Sequence, residues 1–115
     1  MENIKDIKFS DWQKIDLRTA KILKVENIEG ADKLYKLLVD IGEERGKRTL
    51  VAGLRTYYKP EELKNKTCIV FTNLEPRKIR GIESQGMILA AVSEDKSKVR
   101  LLQLDKDIGI GCRIE

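Results

Sequence analysis

Three cationic residues lie close together in the segment NLEPRKIRGIESQGM, residues 73–87: Arg77, Lys78 and Arg80. An arginine guanidinium is a planar fork of donors that matches a phosphate or the edge of a base, whereas a lysine ammonium acts as a point charge. The chemistry open to this segment is therefore anion recognition, and Arg80 is the first candidate for a specific contact. The alternative is that Arg80 pairs with Glu83 and holds the loop.

The same segment connects two strongly apolar runs, CIVF at 68–71 and MILAAV at 87–92. Pro76 stiffens the exit from the first run, because its ring fixes the backbone angle φ. Gly81 and Gly86 permit backbone conformations, or a close approach, that a side chain would block. We therefore expect the cations to be presented on a constrained loop between two core elements.

Neutral and apolar side chains of the segment could complete the site. Asn73 and Ser84 supply hydrogen-bond donors and acceptors, and Met87 could stack on a base. Two of them have an alternative interpretation, because Asn73 could bond the backbone of a turn and Met87 could belong to the core.

Further cations follow the turn EERG, which the pattern predicts to be the tip of a hairpin. Lys47 and Arg48 come directly after that turn and would extend the same basic surface. Lys33 is a further candidate, and Lys36 and Arg55 are weaker ones.

The net charge of +4 is distributed unevenly along the chain. Residues 33–80 hold twelve cations against six anions, whereas residues 1–32 hold six against seven and residues 81–115 hold five against six. A basic middle between nearly neutral flanks is the expected footprint of a polyanion-binding protein, with nucleic acid as the leading partner. The alternative is a solvated lysine-rich surface, which thermostable proteins favour.

Composition narrows the class of protein. With 115 residues, 41% of them hydrophobic and 37% charged, the chain fits one globular domain, residues 1–115. No apolar run approaches the length of a membrane span, and the N-terminus lacks the apolar centre of a signal peptide, so we expect a cytoplasmic protein without a membrane partner. The absence of histidine and the separation of Cys68 from Cys112 argue against a catalytic or metal site, and no cofactor is expected.

The pattern of apolar residues predicts an all-β fold. Three strands begin near Leu17, Leu34 and Lys47, one short helix begins at Pro60, and two further strands follow. This order is that of the OB-fold, a five-stranded Greek-key barrel with one helix between strands three and four. The core then covers about residues 17–92, and residues 1–16 and 93–115 are predicted additions that make a dimer interface.

Four stretches carry a resemblance to a known family: ADKLY at 31–35, VDIGEE at 39–44, RTLVAGL at 48–54 and NLEPRKIRGIESQGMILAA at 73–91. They closely resemble the tRNA-binding domain found at the C-terminus of many methionyl-tRNA synthetases, in stand-alone structure-specific tRNA-binding proteins and in CsaA-type chaperones. The archaeal synthetase version is the most similar.

The resemblance implies an OB-fold homodimer that binds tRNA by shape and backbone and performs no chemistry itself. It would assist, or be appended to, a methionyl-tRNA synthetase catalytic chain. The signature positions carried over are Asn73, Lys78, Arg80, Ser84 and Met87. The alternative is a CsaA-like secretion chaperone that binds unfolded polypeptide in an apolar groove, and the basic middle of the chain favours tRNA.

Aromatic residues are few, and among them Tyr35 lies in a predicted strand that could face the ligand. Proteins that bind single strands without sequence preference usually stack bases on aromatic side chains. The scarcity therefore favours recognition of a folded RNA through its backbone.

Overall fold

The computed structural model describes residues 3–115, which form two short helices and nine strands. In chain order these are α1 (Phe9–Trp12), β1 (Leu17–Ile28), β2 (Ala31–Asp40), β3 (Lys47–Ala52), α2 (Pro60–Leu63), β4 (Thr67–Phe71), β5 (Arg77–Ile79), β6 (Ile82–Ser84), β7 (Met87–Ile88), β8 (Ala90–Val92) and β9 (Val99–Leu101). No helix among residues 3–115 is long and apolar enough to cross a membrane.

The main sheet is antiparallel and has the strand order β3-β2-β1-β4-β7. Strand β1 belongs to both halves of the sheet. The first residues of β1 pair with β4, and the remainder of β1 pairs with β2. Lys21 stands at the change-over, opposite both Asp40 and Thr67, and the register shifts between Ile22 and Lys24. A long strand with such an irregularity can bend and continue around a barrel.

The core lies inside this curved sheet and follows the period-two alternation of the strands. On β2 the residues Tyr35, Leu37 and Val39 are buried, and they face Leu50 of β3 and Val70 of β4 in one cluster. Each fully buried aliphatic side chain contributes roughly 1.5–3 kcal/mol relative to an exposed one. Tyr35 is only 3% exposed and its hydroxyl donates to the carbonyl oxygen of Tyr58 at 2.6 Å, so it offers no stacking surface.

Helix α2 closes one end of the barrel. Pro60 occupies the first turn, and the backbone N–H of Lys59 donates to the carboxylate of Glu62 at 2.8 Å. This capping contact satisfies a donor that the helix itself cannot satisfy. Leu63 is fully buried in the core. The predicted all-β barrel, with one short helix between the third and fourth strands, is confirmed.

The barrel closes between β3 and residues 84–86, which we call the seam. The N–H of Gln85 donates to the carbonyl oxygen of Thr49 at 2.9 Å, and the N–H of Thr49 donates to Oε1 of Gln85 at 3.0 Å. The N–H of Val51 donates to Oγ of Ser84 at 3.0 Å. Side-chain oxygens therefore replace main-chain carbonyls as acceptors at two positions of the seam.

The run at 87–92, predicted as a single fifth strand, is divided in the structure. Its first part, β7, pairs with β4, and its second part, β8, pairs with β9 in a separate hairpin. The N–H of Leu89 donates to the carbonyl oxygen of Ile69 between the two parts. A single straight strand is the wrong description, because the chain leaves the main sheet after Leu89.

The C-terminal segment packs along β1 of its own barrel. Gly111 and Ile114 donate backbone hydrogen bonds to Thr19 and Leu17, and Thr19 donates one to Cys112. Val99 is part of the hydrophobic core. Truncation after Ser93 would therefore remove core contacts together with any dimer contacts, and point substitutions are the better test of a dimer interface.

Asp16 joins the N-terminal segment to four other parts of the chain. Its carboxylate accepts hydrogen bonds from Thr72 Oγ1 and from Arg18 Nε, the latter at 3.0 Å. The guanidinium groups of Arg45 and Arg113 lie within 3.5 and 3.9 Å of it. Burial alone would raise the pKa of Asp16, but the hydrogen bonds from Arg18 and Thr72 and the charges of Arg18 and Arg45 lower it below its ordinary value of 3.8.

We predict that Asp16→Asn lowers the free energy of unfolding by about 2 kcal/mol at about pH 7. The partly buried guanidinium group of Arg18 loses its carboxylate, and Arg45 and Arg113 each lose one charged partner. The pKa of Asp16 is lower in the folded state than its ordinary value of 3.8, so the contribution of its carboxylate to the free energy of unfolding is complete when the pH is above that ordinary pKa. The contribution is lost as the pH falls through the folded-state pKa. The difference in unfolding temperature between parent and variant should therefore shrink toward about pH 3. Asp105→Asn, an exposed control, should have the unfolding temperature of the parent at both pH values. If the unfolding temperature of Asp16→Asn stayed below that of the parent by the same amount at both pH values, the stabilising role of the ionised Asp16 would be contradicted.

Candidate nucleic-acid interface

The basic segment folds as a small hairpin, which we call the basic hairpin, residues 77–84. Arg77 pairs with Ser84, Lys78 with Glu83, and Ile79 with Ile82. The two tip residues, Arg80 and Gly81, have φ angles of 52° and 78°. Two consecutive positive φ angles between paired strands define a type I′ turn, for which Asn-Gly is the favoured sequence. Arg80 thus occupies a conformation that an arginine adopts at a free-energy cost.

The three cations of the basic hairpin are exposed and form no ion pair within the described residues. Arg77, Lys78 and Arg80 have no carboxylate within 4.0 Å in the described part of the chain. Glu83 lies opposite Lys78 across the hairpin and not opposite Arg80. The structure therefore gives no support to an Arg80–Glu83 pair that holds the loop, and all three charges remain available to a ligand.

The basic hairpin lies beside β3, to which it is joined at the seam. In OB-folds, the outer face of strands two and three and the adjoining loops commonly hold oligonucleotides. Here that face carries Lys47 opposite Asp40, and Lys36 opposite Val51. Because the hairpin follows the fourth strand of the barrel, it occupies the position of one of those ligand-binding loops.

An apolar groove runs between the basic hairpin and the end of β3. It has a volume of about 390 Å³, with Leu54, Ile79, Met87, Val92 and Val99 among its lining residues. Met87 is 43% exposed, so it lies at the surface of this groove and not in the barrel core. No single stretch of sequence predicts the groove, because three separate segments build it.

Two predicted contact residues have their polar groups engaged within the fold. Ser84 is buried, and its hydroxyl donates to the carbonyl oxygen of Gly86 in addition to accepting from Val51. Asn73 accepts from the N–H of Asp16 at 2.8 Å and donates to the carbonyl oxygen of Lys14 at 2.6 Å. Asn73 thus fixes the N-terminal segment against the end of β4. Direct RNA contacts from these side chains stay predictions.

The remaining predicted cations differ in their surroundings. Lys47 and Lys33 are exposed on β3 and β2. Arg48 is turned toward the barrel end, where its guanidinium donates to the carbonyl oxygens of Thr72 at 2.6 Å and Gln85 at 3.4 Å. Arg48 lies two positions before the buried Leu50 in β3, so the two side chains point to the same face of the strand. This spacing is the sequence signal for the inward orientation of Arg48.

Arg55 serves the fold in a similar way, because it donates to the carbonyl oxygen of Ala31 at 3.0 Å. Arg48 and Arg55 therefore have structural roles, whereas the exposed cations are free to face a ligand. Lys33 lies on β2 and is not part of the basic hairpin.

Comparison with known proteins identifies the family of this chain. Residues 17–113 match the family model described as "Putative tRNA binding domain". The methionine–tRNA ligase of Pyrococcus horikoshii is 54% identical over 108 residues, which cover 94% of this chain and 14% of that protein. The chain thus spans about one seventh of that relative. The resemblance seen in the sequence is confirmed.

Two solved structures have nearly the same fold. The methionyl-tRNA synthetase-related protein from Pyrococcus horikoshii superposes with a TM-score of 0.89 and 35% identity, over 97% of this chain and 100% of that chain. The CsaA chaperone protein from Picrophilus torridus superposes with a TM-score of 0.86 and 33% identity, over 96% of this chain and 100% of that chain.

Proposed function

The chain belongs to the tRNA-binding domain family, and from that premise we propose that it is a non-catalytic module that binds tRNA by shape and backbone. The observation that carries the proposal is the basic hairpin, with three exposed cations free of carboxylate partners in the described residues. Arg77, Lys78 and Arg80 contact phosphates, and Lys47 extends the contact along β3. Lys33 is an outer member of the surface.

The scaffold residues of this surface act indirectly. Ser84 and Arg48 hold the seam, and Asn73 holds the N-terminal segment. A cationic group on a rigid support interacts with phosphate at less entropic cost than one on a flexible loop. In this proposal Met87 contacts RNA through its exposed thioether and not through a hydrogen bond.

We predict that tRNA affinity falls steeply with salt. Each neutralised phosphate releases counterions, so the logarithm of the association constant should fall linearly with the logarithm of the salt concentration. Four phosphate contacts would give a slope of about −3 to −4. Titration of labelled total tRNA at several salt concentrations measures it, with duplex RNA and single-stranded RNA as comparison ligands. A flat dependence between low and moderate salt would rule out the electrostatic mechanism.

A second candidate function, binding of unfolded polypeptide as a CsaA-like chaperone, is favoured by the apolar groove. The two functions depend differently on the basic hairpin and on the groove. Lys78→Ala should weaken tRNA binding and leave polypeptide binding unchanged, whereas Val92→Asp in the groove should weaken polypeptide binding more than tRNA binding. Binding of a permanently unfolded polypeptide with higher affinity than tRNA would favour the chaperone function.

We also propose that the chain forms a homodimer through its N-terminal and C-terminal segments. Large apolar side chains are exposed in both: Ile4, Ile7, Phe9, Leu102, Leu104, Ile108 and Ile110. Burying such a patch against its copy removes apolar surface from water. A dimer would double the basic surface and raise the avidity for one tRNA.

Sedimentation tests the dimer. The double variant Ile7→Asp, Phe9→Asp should be a folded monomer at concentrations where the parent is a dimer. Val92→Asp, which places one carboxylate on an exposed groove residue, is the control and should remain dimeric. If the dimer dissociated in Val92→Asp and not in the double variant, the dimer interface would lie at the groove.

We further propose that the module works in the cytoplasm, appended to or associated with a methionyl-tRNA synthetase catalytic chain, because such ligases are among its relatives. The KM of that catalytic chain for tRNA should fall when the module is present, with kcat unchanged, since the module adds binding energy and no chemistry.

A further inference from the structure

The apolar groove carries one charge of each sign among its described lining residues. Arg77 of the basic hairpin and Glu75 just before it both line the groove. The remaining surface is mainly aliphatic, with Leu54, Ile79 and Met87 contributing from three directions. A volume of about 390 Å³ lies within the range of about 300–1,000 Å³ that is usual for small-molecule sites.

We propose that this groove takes one unpaired nucleobase of the bound RNA, and that the base carries an exocyclic amino group. The inference rests on the proposed function, because the basic hairpin must hold the RNA backbone for the base to reach the groove. The preferred bases are therefore cytosine, adenine and guanine, and uracil is disfavoured.

The position of Arg77 determines how a nucleotide would enter. Arg77 lies on the same face of the hairpin as Ile79, so its guanidinium is at the rim of the groove and also within the cationic group. A phosphate held there places its own base over the aliphatic surface. The carboxylate of Glu75 repels a phosphate, and the phosphate therefore belongs on the Arg77 side of the rim.

Glu75 supplies the selectivity. A carboxylate accepts hydrogen bonds and donates none when ionised, so it matches an exocyclic amino group. Uracil presents a carbonyl oxygen where cytosine and adenine present that amino group, and two acceptors that face each other form no hydrogen bond.

The apolar surface supplies the remaining interaction. Aromatic residues are absent from the described lining of the groove, so the base packs against aliphatic side chains and the polarizable sulfur of Met87. Such packing is weaker than stacking on an aromatic ring, and the base interaction adds to the phosphate contacts without replacing them.

Methyl NMR of the full chain tests the proposal, because the chain has two methionines, Met1 and Met87. We expect cytidine and adenosine 5′-monophosphate to shift the Met87 methyl signal at concentrations about tenfold lower than uridine 5′-monophosphate requires, which is the ratio expected for one charge-assisted hydrogen bond. Glu75→Gln should abolish this preference. Glu94→Gln, a matched change at an exposed position outside the groove, should retain it.

The outcomes separate this inference from the function on which it rests. Equal shifts for all nucleotides, or none, would overturn the base site, and tRNA binding that still depends on Arg80 would show that the proposed function survives. Failure of the parent chain to bind tRNA would overturn both. A Met87 shift produced by unfolded polypeptide and not by nucleotides would overturn the base site and assign the groove to the chaperone function.

Discussion

Arg80→Asn is expected to weaken tRNA binding by about tenfold or more while raising the stability of the fold. The loss of one guanidinium contact to RNA is worth roughly 1–3 kcal/mol. The variant turn becomes Asn-Gly, the favoured sequence for type I′, so relief of the positive φ at Arg80 should add about 1 kcal/mol to the free energy of unfolding. Binding and stability therefore move in opposite directions.

Titration with tRNA and thermal unfolding of the same proteins check this expectation. Arg80→Lys should recover only part of the affinity, because the planar fork is lost. Lys106→Ala, an exposed lysine outside the hairpin, should bind like the parent. If Arg80 instead stabilised the hairpin, stability would fall together with binding. A folded Arg80→Asn protein with parental affinity would show that the hairpin tip is not the recognition element, and Lys47 would become the next candidate.

Gly86→Ala is expected to have the largest effect on stability, on the order of 3 kcal/mol or more. A β-carbon at this position would lie 2.7 Å from the backbone carbonyl oxygen of Phe71, and the φ angle of 133° is one that residues with side chains rarely adopt. The obstacle is backbone and cannot move away without disturbing β4. The unfolding temperature should fall by at least about 10 °C.

Gly81→Ala provides the matched control, since it also places a methyl group on a positive-φ glycine. Its φ is 78° and no atom lies within 4 Å of the added carbon, so only conformational strain of about 1 kcal/mol is expected. The difference between the two variants measures the contact with Phe71 together with the less accessible φ angle at Gly86. Equal losses of unfolding free energy would contradict the close packing described at Gly86.

The elements with long apolar alternation were predictable from the sequence. Strand β1, the β2–β3 hairpin and helix α2 follow from period-two patterns and from a proline with acidic residues after it. The sequence pattern predicts a loop where the structure has the basic hairpin, because the strands of the hairpin have three residues each and its turn is Arg-Gly. The division of residues 87–92 between two sheets depends on contacts with Ile69 and Leu101, which are distant in sequence.

Part of the candidate site was also predictable from the sequence. Exposed cations at Arg77, Lys78 and Arg80 follow from a charged run between Pro76 and Gly81. Backbone bonding by Asn73 is one of the two interpretations that the sequence allows, but the partners of Asn73 and Ser84 could not be predicted. These partners are Lys14 and Val51, at separations of 59 and 33 residues. The groove likewise depends on three segments that only the fold brings together.

The seam between β3 and the basic hairpin has a dynamic consequence. The amides of Thr49 and Val51 donate to the side chains of Gln85 and Ser84, so a change of side-chain rotamer is enough to release them. In amide hydrogen exchange, these two amides should report a local opening of low free energy, whereas the β1–β2 amides exchange only when the barrel unfolds. The backbone hydrogen bond from Gln85 to Thr49 and the packing of Gly86 against Phe71 still hold the base of the hairpin during such an opening. Only the cations nearer its tip would then shift, by a small amount that lets them adjust to tRNAs whose backbones differ slightly in shape.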